Sequence, residues 1–241
     1  MMNTKLFFIR KIKALFIRFN LHFIFNPFSS FFLNLTYLSK LSKWCKDNAQ
    51  LHLNDFYNGR VKYEDRFKLH EYIFKIENLH EEINYLEFGV ADGISLKWWV
   101  NKNRNANSKF IGFDTFTGLP EDFGVMKKKD YDTKGILPNV DDSRVDFKAG
   151  LFQHSLPRFI KEFNFDKRTV LHMDADLYSS TLFVLTILAF KLKKEDIIIF
   201  DEFGVPTHEF RAFIDFFDSY MIKYEILGAI NNYLQLAVKI I

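Results

Sequence analysis

RTVLHMDADLYSS, residues 168–180, is a short apolar β-type run that breaks into acid at Asp174 and Asp176. IIIFDEFG, residues 197–204, repeats the form and ends on Asp201 and Glu202. Between them SSTLFVLTILAFKLKK, residues 179–194, has the continuous apolar character of one buried helix. Strand, helix, strand in this order predicts a βαβ unit with carboxylates at the carboxyl ends of both strands. In an open parallel sheet those ends face the crevice where ligands bind. Like charges converging there repel, and a divalent cation or a bound proton resolves the conflict.

The pattern continues in both directions. INYLEFGV (83–90) is a strand, ADG (91–93) a tight turn and ISLKWWVNKNR (94–104) a helix. KFIGFDTF (109–116) is a second strand ending at Asp114, and VDFKAGLF (145–152) a third, followed by a short helix LPRFIKEFN (156–164). Downstream, PTHEFRAFIDFFDSY (206–220) is an amphipathic helix. KYEILGAI (223–230) and NYLQLAVKII (232–241) are strands joined at Asn231-Asn232, a hairpin signal. The fold predicted is α/β and Rossmann-like: a mostly parallel seven-stranded sheet, a C-terminal antiparallel hairpin, helices on both faces. Segment 117–143 is polar, Gly/Pro-punctuated and too long for an ordinary connection, which predicts a functional loop or lid.

Charge divides the chain. Of its 241 residues, the first 46 carry eight Lys/Arg and no Asp or Glu. The rest carries 25 basic against 30 acidic residues, a balance of −5. We therefore divide the chain into a basic, apolar, helical N-terminal segment, 1–46, and a domain, 47–241. Residues 47–82 are polar and helix-like and lead into the sheet. The basicity belongs to the segment, so nucleic acid is not an expected partner: no basic stripe is visible on the domain. Arg10, Lys11, Lys13 and Arg18 interrupt what would be a signal-peptide core, and Asn20, His22, Asn26 and Pro27 break the uncharged stretch that follows. Two readings of the segment stand open: helices packed on the domain or on a second subunit, or peripheral attachment to an anionic membrane surface. The lone Cys45 excludes an internal disulfide and suits a reducing compartment, so the expected location is the cytoplasm, with any membrane contact at the inner face.

The Glu87–Gly93 turn, E-F-G-V-A-D-G, lets backbone approach a ligand at a helix N-terminus, but its G-x-x-x-G spacing departs from the dinucleotide fingerprint. Asp114, an acid at the end of the second strand, suits a ribose diol. His172 is read as a core residue, His208 as a surface residue or second base, and Phe152 as core or as a surface for a base to pack on.

In this order YLEFGVADGIS, IGFDTFTGLPEDF, VDFKAGLFQHSLP, VLHMDADLYSSTL and IIIFDEFG resemble the macrocin O-methyltransferase-like family, over roughly residues 83–210. These are class I S-adenosylmethionine-dependent enzymes that methylate sugar hydroxyls with a divalent metal, usually magnesium. The resemblance implies that Glu87, Gly89 and Gly93 line the methionine end of the cofactor, that Ser95 lies near its carboxylate, and that Asp114 holds the ribose. It implies a metal on Asp174, Asp201 and Glu202, with Asp174 and Asp176 at the catalytic centre and Asp176 as general base. The family more often has Asp-Asp where this chain has Asp201-Glu202, and Ala91 stands where many methyltransferases have glycine. The implied acceptor is a saccharide or glycosylated small molecule. A catechol-like diol and a non-catalytic binding protein of the same fold are the alternatives.

Overall fold

The computed structural model describes residues 4–121, 127–128 and 130–241. Its centre is a seven-stranded sheet in the order β3-β2-β1-β4-β5-β7-β6. The strands are β1 (Ile83–Phe88), β2 (Lys109–Asp114), β3 (Val145–Ala149), β4 (Arg168–Met173), β5 (Ile197–Phe200), β6 (Tyr224–Ile230) and β7 (Gln235–Ile240). The first five run parallel, and β7 pairs antiparallel with both β5 and β6. The predicted fold class is borne out. Residues of β5 are buried on both faces, Ile197 and Ile199 in one cluster and Ile198 and Phe200 in the other, which is why its sequence is continuously apolar.

Eight α-helices surround or extend from the sheet among the described residues. They are α1 (Thr4–Arg18), α2 (His22–Phe25), α3 (Ser29–Asp47), α4 (Arg66–Ile76), α5 (Ile94–Lys102), α6 (Phe152–Glu162), α7 (Tyr178–Leu188) and α8 (Glu209–Tyr220). Helices α4 and α5 pack with one cluster, and α6, α7 and α8 with the other. Several predicted boundaries move. Of residues 48–82 only α4 and a short 3-10 turn at Tyr63–Asp65 are helical. The third strand stops at Ala149, because Leu151–Phe152 already begins α6.

Helix α7 ends at Leu188 rather than Lys194. Beyond that end the Asp196 carboxylate accepts from Lys193 N at 2.7 Å and Thr169 N at 2.7 Å and so fixes the turn into β5. The Asn231-Asn232 turn is present, with both residues and Tyr233 at positive φ.

The segment boundary near residue 46 falls inside the last turn of α3. One turn earlier Leu41 is buried, and in the last turn Trp44 packs against Phe203, Phe210, Phe213 and Tyr233. Upstream of it α1 buries no residue.

Candidate active site

A cavity of about 410 Å³ opens at the carboxyl ends of the parallel strands. Its first wall is the turn after β1. Gly89 has φ +95°, and a Cβ there would sit 1.7 Å from the Asp174 carbonyl oxygen, so only glycine lets this turn close onto the end of β4. Gly93, at φ +71°, starts α5. The turn is held by Asp114: Oδ2 accepts from Val90 N at 2.7 Å and Ala91 N at 2.8 Å, and Oδ1 from Phe116 N at 2.7 Å. Asp114 thus lines the cavity and also fastens the loop that shapes it. Ala91, at φ +45°, keeps a left-handed conformation in place of a glycine.

Glu87 and Ser95 are buried and line the same cavity. Glu87 Oε2 accepts from Tyr85 Oη at 2.6 Å. Ser95 Oγ has no partner within the protein, in the first turn of a helix whose N-terminus favours negative charge. An orphaned buried hydroxyl in that position fits the carboxylate end of an amino-acid-bearing cofactor. Phe152 lines the cavity and meets Phe88 edge-on at 5.5 Å. Segment 117–143 contributes Gly118, Leu119, Pro120 and Tyr131 to the lining, while residues 122–126 and 129 of it lie outside the described residues.

Part of the remaining lining is acidic. Asp174, Asp176 and Glu202 supply it, with Asp176 at φ +57°, a left-handed conformation that Asp tolerates. Burial and Asp201 push the Asp174 carboxyl well above its ordinary range. Burial, then Asp201 and Asp114, raise Asp176 to about 7. Burial, then Asp201 and Asp176, raise Glu202 to about 8. Clustered oxygen donors whose charges oppose one another fit a hard divalent cation such as Mg²⁺.

Asp201 differs from the other three. It is fully buried and does not line the cavity. Its Oδ2 accepts from Arg66 Nη1 at 2.9 Å and from Tyr63 Oη, and the same Arg66 nitrogen is 3.6 Å from Asp174 Oδ2. A guanidinium therefore stands between the two strand-end aspartates. Although burial opposes the charge, His172, Arg66 and Tyr63 hold Asp201 ionised, at about 2.

His172, expected as a satisfied core residue, is buried but only half satisfied. Nδ1 pairs with Tyr85 Oη at 2.8 Å, whereas Nε2 faces Asp201 Oδ1 at 3.7 Å with no hydrogen bond. Burial disfavours its charge, yet Asp201 and Glu87 raise it to about 10. Among the described residues, the ligand-type atoms that converge within 4.8 Å belong to His70, His172 and Asp201. Neither histidine lines the cavity. His208 does not line it either; its Nδ1 accepts from Tyr178 N at 3.3 Å, at the start of α7.

Tyr63 and Arg66 escaped sequence reading. Their signal is a cation leading a buried helical face: Arg66, Leu69, His70 and Ile73 follow i, i+3, i+4, i+7 and are all buried.

The fold is that of methyltransferases. The calicheamicin methyltransferase CalS11 superposes with a TM-score of 0.53 at 18% identity, over 85% of this chain and 91% of that one. The O-methyltransferase NovP superposes at 0.52 and 20% identity, over 73% and 78% of the two chains. The O-methyltransferase from Bacillus cereus in complex with SAH superposes at 0.51 and 13% identity, over 85% and 90%. The family profile of macrocin-O-methyltransferase (TylF) matches residues 137–232. The match bears out the expected resemblance to that family. It starts later and ends later than the motifs quoted above. Among curated proteins none matches the chain.

Proposed function

We propose that this protein moves a methyl group from S-adenosylmethionine to a hydroxyl of a saccharide or glycosylated small molecule, with a divalent cation such as Mg²⁺. The observation that carries the reading is one cavity lined by Glu87, Ser95 and Asp114 together with Asp174, Asp176 and Glu202. The family match favours a sugar acceptor.

Each residue has a task. Ser95 Oγ and the first turn of α5 bind the cofactor carboxylate, and Glu87 its amino group. Gly89 and Gly93 keep the turn close to the methionine end. Asp114 gives three of its four lone pairs to Val90, Ala91 and Phe116 N–H, and the one remaining on Oδ1 receives a ribose hydroxyl. Asp174 and Glu202, which line the cavity, form the proposed cation set. Asp201, the third ligand the resemblance implies, has Oδ2 on Arg66 and Tyr63 and Oδ1 toward His172, and it acts by holding Arg66 beside Asp174. When bound, the cofactor supplies an electrophilic methyl group and the cation lowers the pKa of the acceptor hydroxyl. Asp176 accepts the hydroxyl proton as the new O–C bond forms and the sulfonium S–C bond breaks. Most of the acceleration comes from positioning.

Methyl transfer to a panel of sugars, glycosides and catechols, followed by mass spectrometry, tests the proposal. Methyl ethers on sugar hydroxyls are expected, lost on chelation. Transfer to catechols alone would sink the sugar assignment. Asp176→Asn lowers kcat by about 10²–10⁴-fold while leaving cofactor affinity within a few-fold. An unchanged kcat contradicts its role as base.

A further inference from the structure

We infer that residues 4–38 seat this protein on an anionic membrane surface. Among the described residues, eighteen of the thirty-one exposed large apolar side chains lie between Leu6 and Leu38. Helix α1 buries none of its residues, and Leu6, Phe7, Phe8 and Ile9 are exposed in succession. Four consecutive positions point all round a helix, so the apolar surface is not a single stripe. An interfacial helix sinks its apolar side chains about 5–10 Å into the headgroup boundary, while long cationic side chains extend back to water.

Charge identifies the medium. Eight Lys/Arg and no acid lie in residues 1–46, against a balance of −5 in the remainder. Such a segment is drawn to anionic headgroups while the domain is repelled, which fixes the side that approaches. Lys and Arg interleaved with apolar residues extend along apolar surface to keep their charges in water. The geometry also sets the mode. No helix among the described residues is long and apolar enough to cross a membrane. Helix α1 has 15 residues, a length of about 22 Å against a hydrocarbon core of about 30 Å, so it lies in the interface. The last two turns of α3, through Leu41 and Trp44, join this surface to the domain.

Flotation of the full-length protein with phosphatidylcholine vesicles, with and without phosphatidylglycerol, tests the inference without any acceptor or cofactor. The protein is expected to float with the anionic vesicles at low salt, and weakly or not at all with phosphatidylcholine alone. Lys11→Gln/Lys13→Gln/Arg18→Gln reduces partitioning about a hundredfold, at roughly tenfold or less per removed charge. Phe8→Ser/Ile12→Ser/Ile17→Ser, all at exposed positions, also releases it while the thermal melt stays unchanged. Absence of flotation with anionic vesicles at low salt overturns the inference. So does a dimer by light scattering that the apolar variant turns into a monomer while vesicle binding is untouched; the surface would then serve a second copy.

Discussion

At the scale of residues, the decisive contact joins Arg66 to Asp201, 135 positions apart in the chain. Asp201 is 0% exposed, and a buried carboxylate stripped of its cation keeps the full cost of desolvation. Arg66→Met should therefore destabilise the protein by about 3–5 kcal/mol in urea unfolding. A loss below about 1 kcal/mol would show that Asp201 is held by other means. The acids of the site were legible in sequence because each closes an apolar strand, and a strand end fixes where its side chain goes. Glu87, Asp114, Asp174, Asp176 and Glu202 accordingly all line one cavity. Arg66 and Tyr63 were not legible. They come from a polar stretch with no strand to place them, and their role depends on packing between distant segments. The Asp201 side chain was likewise placed by its strand but oriented by those partners. Ser95 is the complementary case: its place in a helix start was readable, but its orphaned Oγ required the coordinates.

At the scale of elements, hydrophobic period located the strands and most helices, whereas side-chain hydrogen bonds set their ends. Asp196 fixes the turn between α7 and β5, and no periodicity reports such a turn. Arg144 does similar work for α5, donating to Val100 O at 3.0 Å and Asn103 O at 2.7 Å while paired with Asp142. Arg144→Ala leaves those carbonyls without their donors and should cost about 1–3 kcal/mol in urea unfolding, without changing cofactor affinity more than a few-fold.

Helix α3 offers a test of docking. Burial pushes the Cys45 thiol up to about 11, which leaves little reactive thiolate at pH 8. Alkylation by iodoacetamide at pH 8 should run about a hundredfold slower than for a free cysteine. Reaction at the free-cysteine rate would mean that this turn does not stay on the domain.

At the scale of the whole molecule, the alternation of strands and helices forecast a parallel sheet closed by a hairpin, but not the strand order. That order places β7 between β5 and β6, so that the hairpin extends the β5 edge. The N-terminal segment was legible only as a charge and composition boundary. Its chemistry depends on what surrounds it, which neither propensity nor period encodes. The catalytic reading rests on the cavity uniting a cofactor cradle with an acidic wall.

Calorimetric titration of S-adenosylhomocysteine into the full-length protein, with and without Mg²⁺, tests that union most directly. Wild type should bind, Ser95→Ala should bind about tenfold more weakly for the loss of one hydrogen bond, and Asp114→Ala should not bind measurably. No binding to wild type under either condition would contradict the account, and the acidic strand ends would then belong to other chemistry.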